Sequence, residues 1–282
     1  MYLFKKVSDL QHYLKNAVNS AQNLGFIPTM GALHEGHLSL IRLAKETNAL
    51  TVCSIFVNPT QFNEQNDLAR YPRTPGKDIQ LLEKVGCDVL FLPEVEEVYP
   101  AGLDTKLQLD LGGLDQLMEG LFRPGHFVGV AEVVKRLLDI VQPDQLFMGQ
   151  KDFQQFTIVK QMIDQLGLPM ELVMGPTVRE EDGLAMSSRN LRLTEEQRQL
   201  APKIYQTLVA TREWLEEMLP TEVKAKAMQT LEVPGLKPEY FEIVDRETLQ
   251  PIDNWAGQKT AVACTAVWAG EVRLIDNFLL DK

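Results

Sequence analysis

Short apolar runs alternate with amphipathic stretches from the start of the chain to about Val178, and this alternation limits the possible folds most strongly. The apolar runs have the length of buried strands and lie at Leu24–Pro28, Leu50–Val57, Asp88–Leu92, Gln145–Gly149 and Glu171–Gly175. The amphipathic stretches have the apolar spacing of helices buried on one side, at His37–Thr47, Gly76–Val85, Val128–Val141 and Phe153–Leu166. Each connection is long enough to cross over between parallel strands. The pattern therefore predicts an α/β fold with a Rossmann-like, doubly wound parallel sheet.

A different pattern follows Val178. A polar loop at Arg179–Asn190 leads into a charged helical stretch from Thr194 to about Leu219. Strand-like runs come after it, at Tyr240–Val244, Ala261–Trp268 and Val272–Ile275. We therefore predict a Rossmann-like domain at residues 1–177 and a smaller C-terminal α+β domain at residues 178–282.

Charge, hydropathy and cysteine content exclude several classes of partner. The 282-residue chain has a formal net charge of -11 and a pI near 5.0, so it has no general attraction to nucleic acid or anionic lipid. No stretch approaches the ~18 consecutive apolar residues of a membrane span, and the first residues do not resemble a secretion signal. Cys53, Cys87 and Cys264 are far apart and suit buried thiols in a reducing compartment. We therefore expect a cytoplasmic protein with no nucleic-acid or membrane partner and no metal site of its own.

The strand at Leu24–Pro28 runs into a turn that ends in His34-Glu35-Gly36-His37. A helix that begins at about His37 would present free backbone N–H groups and a positive field, which bind phosphate. His34 and His37 would point the same way, and they could stabilise the negative charge that develops when the α-phosphorus of a nucleotide is attacked. The alternative is a pair of surface or capping histidines.

Missing patterns exclude three other kinds of site. The zinc metalloprotease motif has its histidines four positions apart, whereas His34 and His37 are three apart. The sequence contains neither the glycine fingerprint of dinucleotide-binding enzymes nor the Walker A loop. What remains is a phosphate site built on a strand-to-helix turn.

Further polar segments lie at predicted strand ends or in loops. Asn58–Asn63 could bind hydroxyl and carboxylate groups of a small substrate, although a plain turn explains it equally well. Gly149-Gln150-Lys151-Asp152 offers a lysine for phosphate charge and an aspartate for a ribose hydroxyl or a helix cap. Gly183–Asn190 could close over a triphosphate or serve as an interdomain linker. Glu119–Phe127 is either an anion-binding lid or a turn.

Several of these strings occur in order along the whole chain. They are Pro28–His37, Ser54–Phe62, Tyr71–Thr74, Arg123–Phe127, Gln142–Asp144, Lys151–Gln155, Ser187–Asn190 and Arg273–Asn277. Together they resemble the pantothenate synthetase (pantoate–β-alanine ligase) family of the nucleotidyltransferase superfamily, which carries the His-x-Gly-His motif. Any one string could arise by chance, whereas the ordered set covers essentially the full length.

The resemblance implies a ligase that uses ATP to join (R)-pantoate to β-alanine. Pantoate would attack the α-phosphorus of ATP to give pantoyl adenylate and pyrophosphate. β-Alanine would then displace AMP to give pantothenate, on the way to coenzyme A. The resemblance also implies Mg²⁺ carried on the triphosphate and a homodimer. Residues 1–177 would bind nucleotide and pantoate, and residues 178–282 would close over the ATP site.

Individual roles follow from the same resemblance. His37, His34 and Lys151 would be catalytic, with His37 as the proton donor and His34 as a phosphate partner. Gln61 would contact pantoate and β-alanine, and Gln155 would bind pantoate. The nucleotide site would comprise Met30, Gly31, Ala32, Leu33, His34, Glu35, Gly36, His37, Gly149, Gln150, Lys151, Asp152, Val178, Met186, Ser187, Ser188 and Arg189.

Two positions depart from the usual family sequence. Gln150 stands where the family often has glutamate, which removes a negative charge near the nucleotide and leaves any contact specific to that glutamate open. Met186 replaces a frequent leucine at almost the same volume. The resemblance also leaves the roles of Arg123 and His126 open.

Other functions share part of this pattern. An adenylyltransferase that keeps AMP on its product could use the same His-x-Gly-His turn. An aminoacyl-tRNA synthetase-like protein shares the turn, but this chain lacks a basic RNA-binding region. A non-catalytic nucleotide-binding module would not need two histidines, a lysine and a closing loop together.

Overall fold

The computed structural model describes residues 1–17, 23–62, 68–69, 71–255 and 260–280. The chain divides into two compact units. Unit 1 comprises Met1–Asp115, Gly120–Gly149 and Gln155–Pro176. Unit 2 comprises Gln116–Glu119, Gln150–Gln154 and Thr177–Lys282.

A parallel sheet of six strands runs through the described part of unit 1. The strands are β1 (Tyr2–Phe4), β2 (Leu24–Thr29), β3 (Leu50–Ile55), β4 (Val89–Phe91), β5 (Gln145–Gly149) and β6 (Glu171–Gly175). Their order is β1-β4-β3-β2-β5-β6, so the direction of winding reverses between β2 and β5. In open α/β sheets ligands bind beyond the carboxyl ends of the strands at such a reversal. The predicted parallel sheet is confirmed, whereas β1 was not predicted because it is short and largely exposed.

Helices cover both faces of this sheet. In chain order, the helices described between β1 and β6 include α1 (Val7–Ala17), α2 (Glu35–Thr47), α3 (Pro75–Val85), α4 (Val95–Val98), α5 (Met118–Phe122), α6 (His126–Val141) and α7 (Phe153–Leu166). Of these, α5 is divided between the two units. On β2, Phe26 packs into the core under α1, α6 and α7, while the adjacent Ile27 packs into the core under α2 and α3. Consecutive side chains of a strand point to opposite faces, so each face of β2 receives its own core. This is the predicted doubly wound arrangement.

Unit 2 has a different architecture. Its described residues form an antiparallel sheet of three strands, β7 (Leu236–Asp245), β8 (Ala261–Ala269) and β9 (Val272–Leu279), in that order. The sheet packs against α8 (Glu195–Leu200), α9 (Lys203–Trp214) and α10 (Pro220–Leu231) around a core that includes Phe241. The predicted small α+β part is therefore confirmed.

The helices of unit 2 differ from the prediction. The single stretch predicted from Thr194 to Leu219 is two helices, α8 and α9, and α10 was not predicted. Pro202 lies between α8 and α9, and Pro220 opens α10, because proline cannot supply the N–H of a helix interior but fits its first turn. No helix in the described ranges is both long and apolar enough to cross a membrane.

Candidate active site

The turn after β2 has an unusual backbone. Gly31 and Ala32 both have positive φ, 79° and 49°. A Cβ atom on Gly31 would lie 2.9 Å from Ile55 Cγ2, so both the space and the backbone angle require glycine there. Helix α2 begins at Glu35 with His34 as its N-cap, two residues before the predicted start. The turn therefore delivers both motif histidines to the first turn of α2.

The two histidines are oriented by backbone donors. The Gly36 N–H donates to His34 Nδ1 at 3.2 Å, and the His34 N–H donates to His37 Nδ1 at 3.3 Å. The ring centroids lie 4.1 Å apart, and both side chains are half-buried. Because each Nδ1 accepts a hydrogen bond, each neutral ring carries its proton on Nε2. Helix capping and phosphate binding are thus compatible roles, since capping uses Nδ1 and orients the Nε2–H.

A buried aspartate that no sequence motif singles out holds the turn. Asp78 is 1% exposed, and its carboxylate accepts from the backbone N–H groups of Ala32 at 3.0 Å and Leu33 at 2.8 Å. The Thr74 hydroxyl donates to the same carboxylate at 3.1 Å. In the sequence, Asp78 is only an acidic residue in the first turn of α3, a common position that favours no function.

Gln61 lies in a turn after β3 and is 7% exposed. Asn58 Nδ2 donates to Gln61 Oε1 at 3.2 Å, and Gln61 Nε2 lies 3.3 Å from Met30 Sδ. The structure of unit 1 therefore brings the predicted substrate residue Gln61 against the predicted nucleotide residue Met30. Asn63, the last residue of the predicted polar segment, lies outside the described residues.

The structure shows what Arg123 and His126 contact. His126 Nδ1–H donates to the Gln61 carbonyl at 2.9 Å, and Arg123 Nη1 donates to His126 Nε2 at 3.1 Å. Helix α6 also approaches this turn closely, because a Cβ atom on Gly129 would lie 2.8 Å from the Thr60 carbonyl oxygen. These contacts support the turn that carries Gln61.

In unit 2, Gln150–Asp152 form a single 3-10 turn. Lys151 Nζ lies 3.7 Å from Asp152 Oδ1, and the lysine side chain is 18% exposed. Gln150 Nε2 donates to Asn277 Oδ1 at 3.0 Å. A glutamate at position 150 could not donate this bond when ionised, so the departure from the usual family residue creates a contact.

The second predicted nucleotide segment of unit 2 is a hairpin-like loop. The Met186 N–H donates to the Val178 carbonyl at 3.0 Å, and Ser187 Oγ accepts from the Arg189 N–H at 3.2 Å. Arg179 forms a bidentate ion pair with Asp276, at 2.6 and 3.0 Å. Burial raises the pKa of Asp276 above its ordinary value, and the Arg179 guanidinium opposes that shift.

The predicted site residues divide between the units. Unit 1 contains the residues of the histidine turn together with Gln61, Gly149 and Gln155, and unit 2 contains the others. Gly149 ends β5, and Gln155 is half-buried near the start of α7. Their binding roles, and those of the other site residues, stay predictions.

Comparisons with known proteins match the chain to one family over almost its whole length. The sequence profile of a family described as pantoate-beta-alanine ligase matches residues 2–279. A pantothenate synthetase of Porphyromonas gingivalis is 48% identical over 278 residues, with 98% of each chain covered. The crystal structure of pantothenate synthetase from Thermus thermophilus has a TM-score of 0.92 and 43% identity over 100% of both chains. A pantoate-beta-alanine ligase from Francisella tularensis, complexed with beta-gamma ATP and beta-alanine, has a TM-score of 0.82 and 37% identity, covering 99% of this chain and 98% of that one.

Proposed function

The chain belongs to the pantoate–β-alanine ligase family, and we propose that its oriented histidine pair and Lys151 promote adenylation of pantoate. The protein is an ATP-dependent ligase that condenses pantoate with β-alanine to pantothenate. The geometry of His34 and His37 carries the proposed residue roles. Their Nδ1 atoms accept from backbone N–H groups, so each neutral ring presents an oriented Nε2–H that can donate to phosphate.

In the first step, a pantoate carboxylate oxygen forms a bond to the α-phosphorus and the bond to the bridging β-phosphate oxygen breaks. Negative charge grows on the α-phosphate and on the departing pyrophosphate. His34 and His37 each donate a hydrogen bond from Nε2–H to a phosphate oxygen and so stabilise that charge, and the Lys151 ammonium neutralises the triphosphate. Catalysis of this kind depends mostly on positioning and charge neutralisation.

In the second step, the amine of β-alanine attacks the acyl carbon of pantoyl adenylate. The acyl–phosphate bond breaks, AMP leaves, and the proton that the amine loses passes to a phosphate oxygen of AMP or to solvent water. Asn58 holds the side chain of Gln61, and His126 holds its backbone carbonyl. Gln61 therefore has a fixed position, which suits a residue that binds both small substrates. Gln155 binds pantoate in this proposal. The other nucleotide-binding residues are Met30, Gly31, Ala32, Leu33, Glu35, Gly36, Gly149, Gln150, Asp152, Val178, Met186, Ser187, Ser188 and Arg189.

We propose that Mg²⁺ enters with ATP. Within the described ranges no group of three or more His, Cys, Asp or Glu side chains is placed to hold a metal ion. This fits Mg²⁺, which commonly keeps several waters and binds through substrate phosphates rather than an all-protein cage. When bound, the ion supplies positive charge to the triphosphate.

The test is an assay of AMP release with pantoate, β-alanine, ATP and Mg²⁺, omitting each in turn. We expect free AMP only when β-alanine is present, and pantothenate in equal amount. A stable adenylated product that persists after β-alanine is added would instead indicate an adenylyltransferase that retains AMP.

We also propose a cytoplasmic homodimer. The cytoplasmic location is supported by Cys53, Cys87 and Cys264 of the chain, which are free and buried, as is usual in a reducing compartment. Light scattering at micromolar concentration would test the dimer, and a monomer mass would contradict it. The closure of residues 178–282 over the ATP site stays a prediction.

A further inference from the structure

We propose that Asn277, on β9, is a positioning residue that holds the turn carrying Lys151 for adenylation. Its neighbour Asp276 holds the base of the loop that carries Met186–Arg189. The last strand would then fix both of the unit 2 segments assigned to ATP. This inference rests on the proposed role of Lys151.

The Asn277 side chain binds the turn at three points. Its Nδ2 donates to the carbonyl oxygens of Gln150 at 2.9 Å and Lys151 at 2.8 Å. Its Oδ1 accepts from Gln150 Nε2 at 3.0 Å. Both Nδ2 hydrogens are used, so the amide has one orientation only. Asn277 is 2% exposed, and hydrogen bonds in such a dry environment hold a geometry firmly.

The sheet does not explain this side chain. Backbone pairing places Asn277 opposite Cys264 of β8. Any residue in a strand conformation could make this pairing, because it uses only backbone groups. The amide instead holds the turn, because its Nδ2 donates to two consecutive carbonyl groups there and its Oδ1 accepts from the Gln150 side chain. Lysine has a flexible four-carbon stem, so the place of its ammonium depends on where the backbone starts.

Asp276 acts on the other segment. Arg179 reaches its carboxylate with two hydrogen bonds, donates to the Asn277 carbonyl at 3.2 Å and donates to the Gly183 carbonyl at 3.1 Å. The guanidinium carbon lies 3.9 Å from the centre of the Tyr205 ring. Arg179 pairs with Ala185 at the base of the loop. Adjacent residues of β9 thus hold both segments.

A double-mutant cycle tests the inference. We expect Asn277→Ala to lower the rate of pantoyl adenylate formation by about 10- to 100-fold, the scale of a misplaced catalytic group. If Asn277 acts through Lys151, Asn277→Ala in a Lys151→Ala background should lower the rate of adenylate formation by less than about twofold. Thr265→Val is the matched control, since it removes a buried side-chain bond of 2.7 Å to the Tyr240 carbonyl from the same sheet. It should lower the melting temperature without lowering the adenylation rate.

Hydrogen exchange provides a readout that does not depend on activity. We expect Asn277→Ala, but not Thr265→Val, to speed exchange in a peptide covering residues 149–155. Unchanged exchange there, or a full 10-fold or larger loss of rate in the Lys151→Ala background, would overturn the inference. An enzyme that makes no pantothenate would overturn the proposed function, and the exchange result would still decide whether Asn277 holds the turn.

Discussion

Asp78 accepts a hydrogen bond from the backbone N–H of Leu33 at 2.8 Å, across 45 positions of the sequence. Its second oxygen accepts from the adjacent Ala32 N–H, so one buried carboxylate binds two consecutive peptide groups. Ala32 has a left-handed backbone angle that a residue with a side chain adopts at an energetic cost. The carboxylate compensates for that cost and fixes the turn just before His34.

We therefore expect Asp78→Asn to impair both stability and activity. Asparagine has one acceptor oxygen and would turn an N–H₂ group toward one of the two backbone donors. The free energy of unfolding should fall by about 1–3 kcal/mol, the usual result of leaving a buried donor unsatisfied. The value of kcat for adenylation should fall about 10-fold, as measured by pyrophosphate release. Asp164→Asn, at an exposed residue paired with Lys160, should change the unfolding free energy by less than about 0.5 kcal/mol. Equal behaviour of the two variants would show that Asp78 does not hold the turn.

His37→Ala should leave the fold intact and lower adenylate formation by roughly 10²–10³-fold, because it removes a positioned hydrogen-bond donor to the charge that develops on phosphate. Circular dichroism checks the fold, and single-turnover formation of pantoyl adenylate checks the step. His12→Ala is the control, since His12 is an exposed histidine on α1. Near-normal turnover in the His37 variant would contradict the assigned role.

Gln61→Ala should raise KM for pantoate and for β-alanine by about 10-fold, since a lost hydrogen bond to a charged group costs about 1.5 kcal/mol. KM for ATP should change much less. Steady-state kinetics with each substrate varied separately would show the difference, with Gln165→Ala as an exposed glutamine control in unit 1. An effect confined to ATP would mean that the substrate pocket has been placed wrongly.

Stability should fall as the pH rises above about 9. Burial raises the pKa of the Cys87 thiol to about 11, from an ordinary value of 9.0, and also raises the pKa values of Cys53 and Cys264. Between these values the unfolded thiol ionises while the folded one stays protonated. The Cys87 contribution is therefore intact below pH 9 and is lost toward pH 11, at up to about 1.4 kcal/mol per pH unit.

Urea unfolding at pH 8, 9 and 10 would measure this loss. The Cys87→Ala variant should show a shallower fall of unfolding free energy with pH, because one of the ionising thiols is gone. Identical slopes for the two proteins would contradict the assignment to Cys87.

Local sequence patterns determined the architecture. Strands and helices bury side chains at fixed spacing. The apolar residues of β2, β3, β5 and β6 and of the intervening helices therefore reveal these elements in the sequence itself. The turn after β2 was equally readable, since glycine and histidine at a strand-to-helix junction have few structural explanations. The ordered motifs along the chain identified the family, which the comparisons confirmed.

The tertiary structure decided how those residues are held. Asn277 reaches Gln150 across 127 positions, and Asp78 reaches Ala32 across 46. The sequence around Asp78 indicates only a helix start, and that around Asn277 indicates only a strand. A hydrogen bond between distant segments depends on where the fold brings their backbones together, and no local spacing records that. For the same reason, the contact of His126 with Gln61 could not be predicted from the sequence, although both residues belong to recognised motifs.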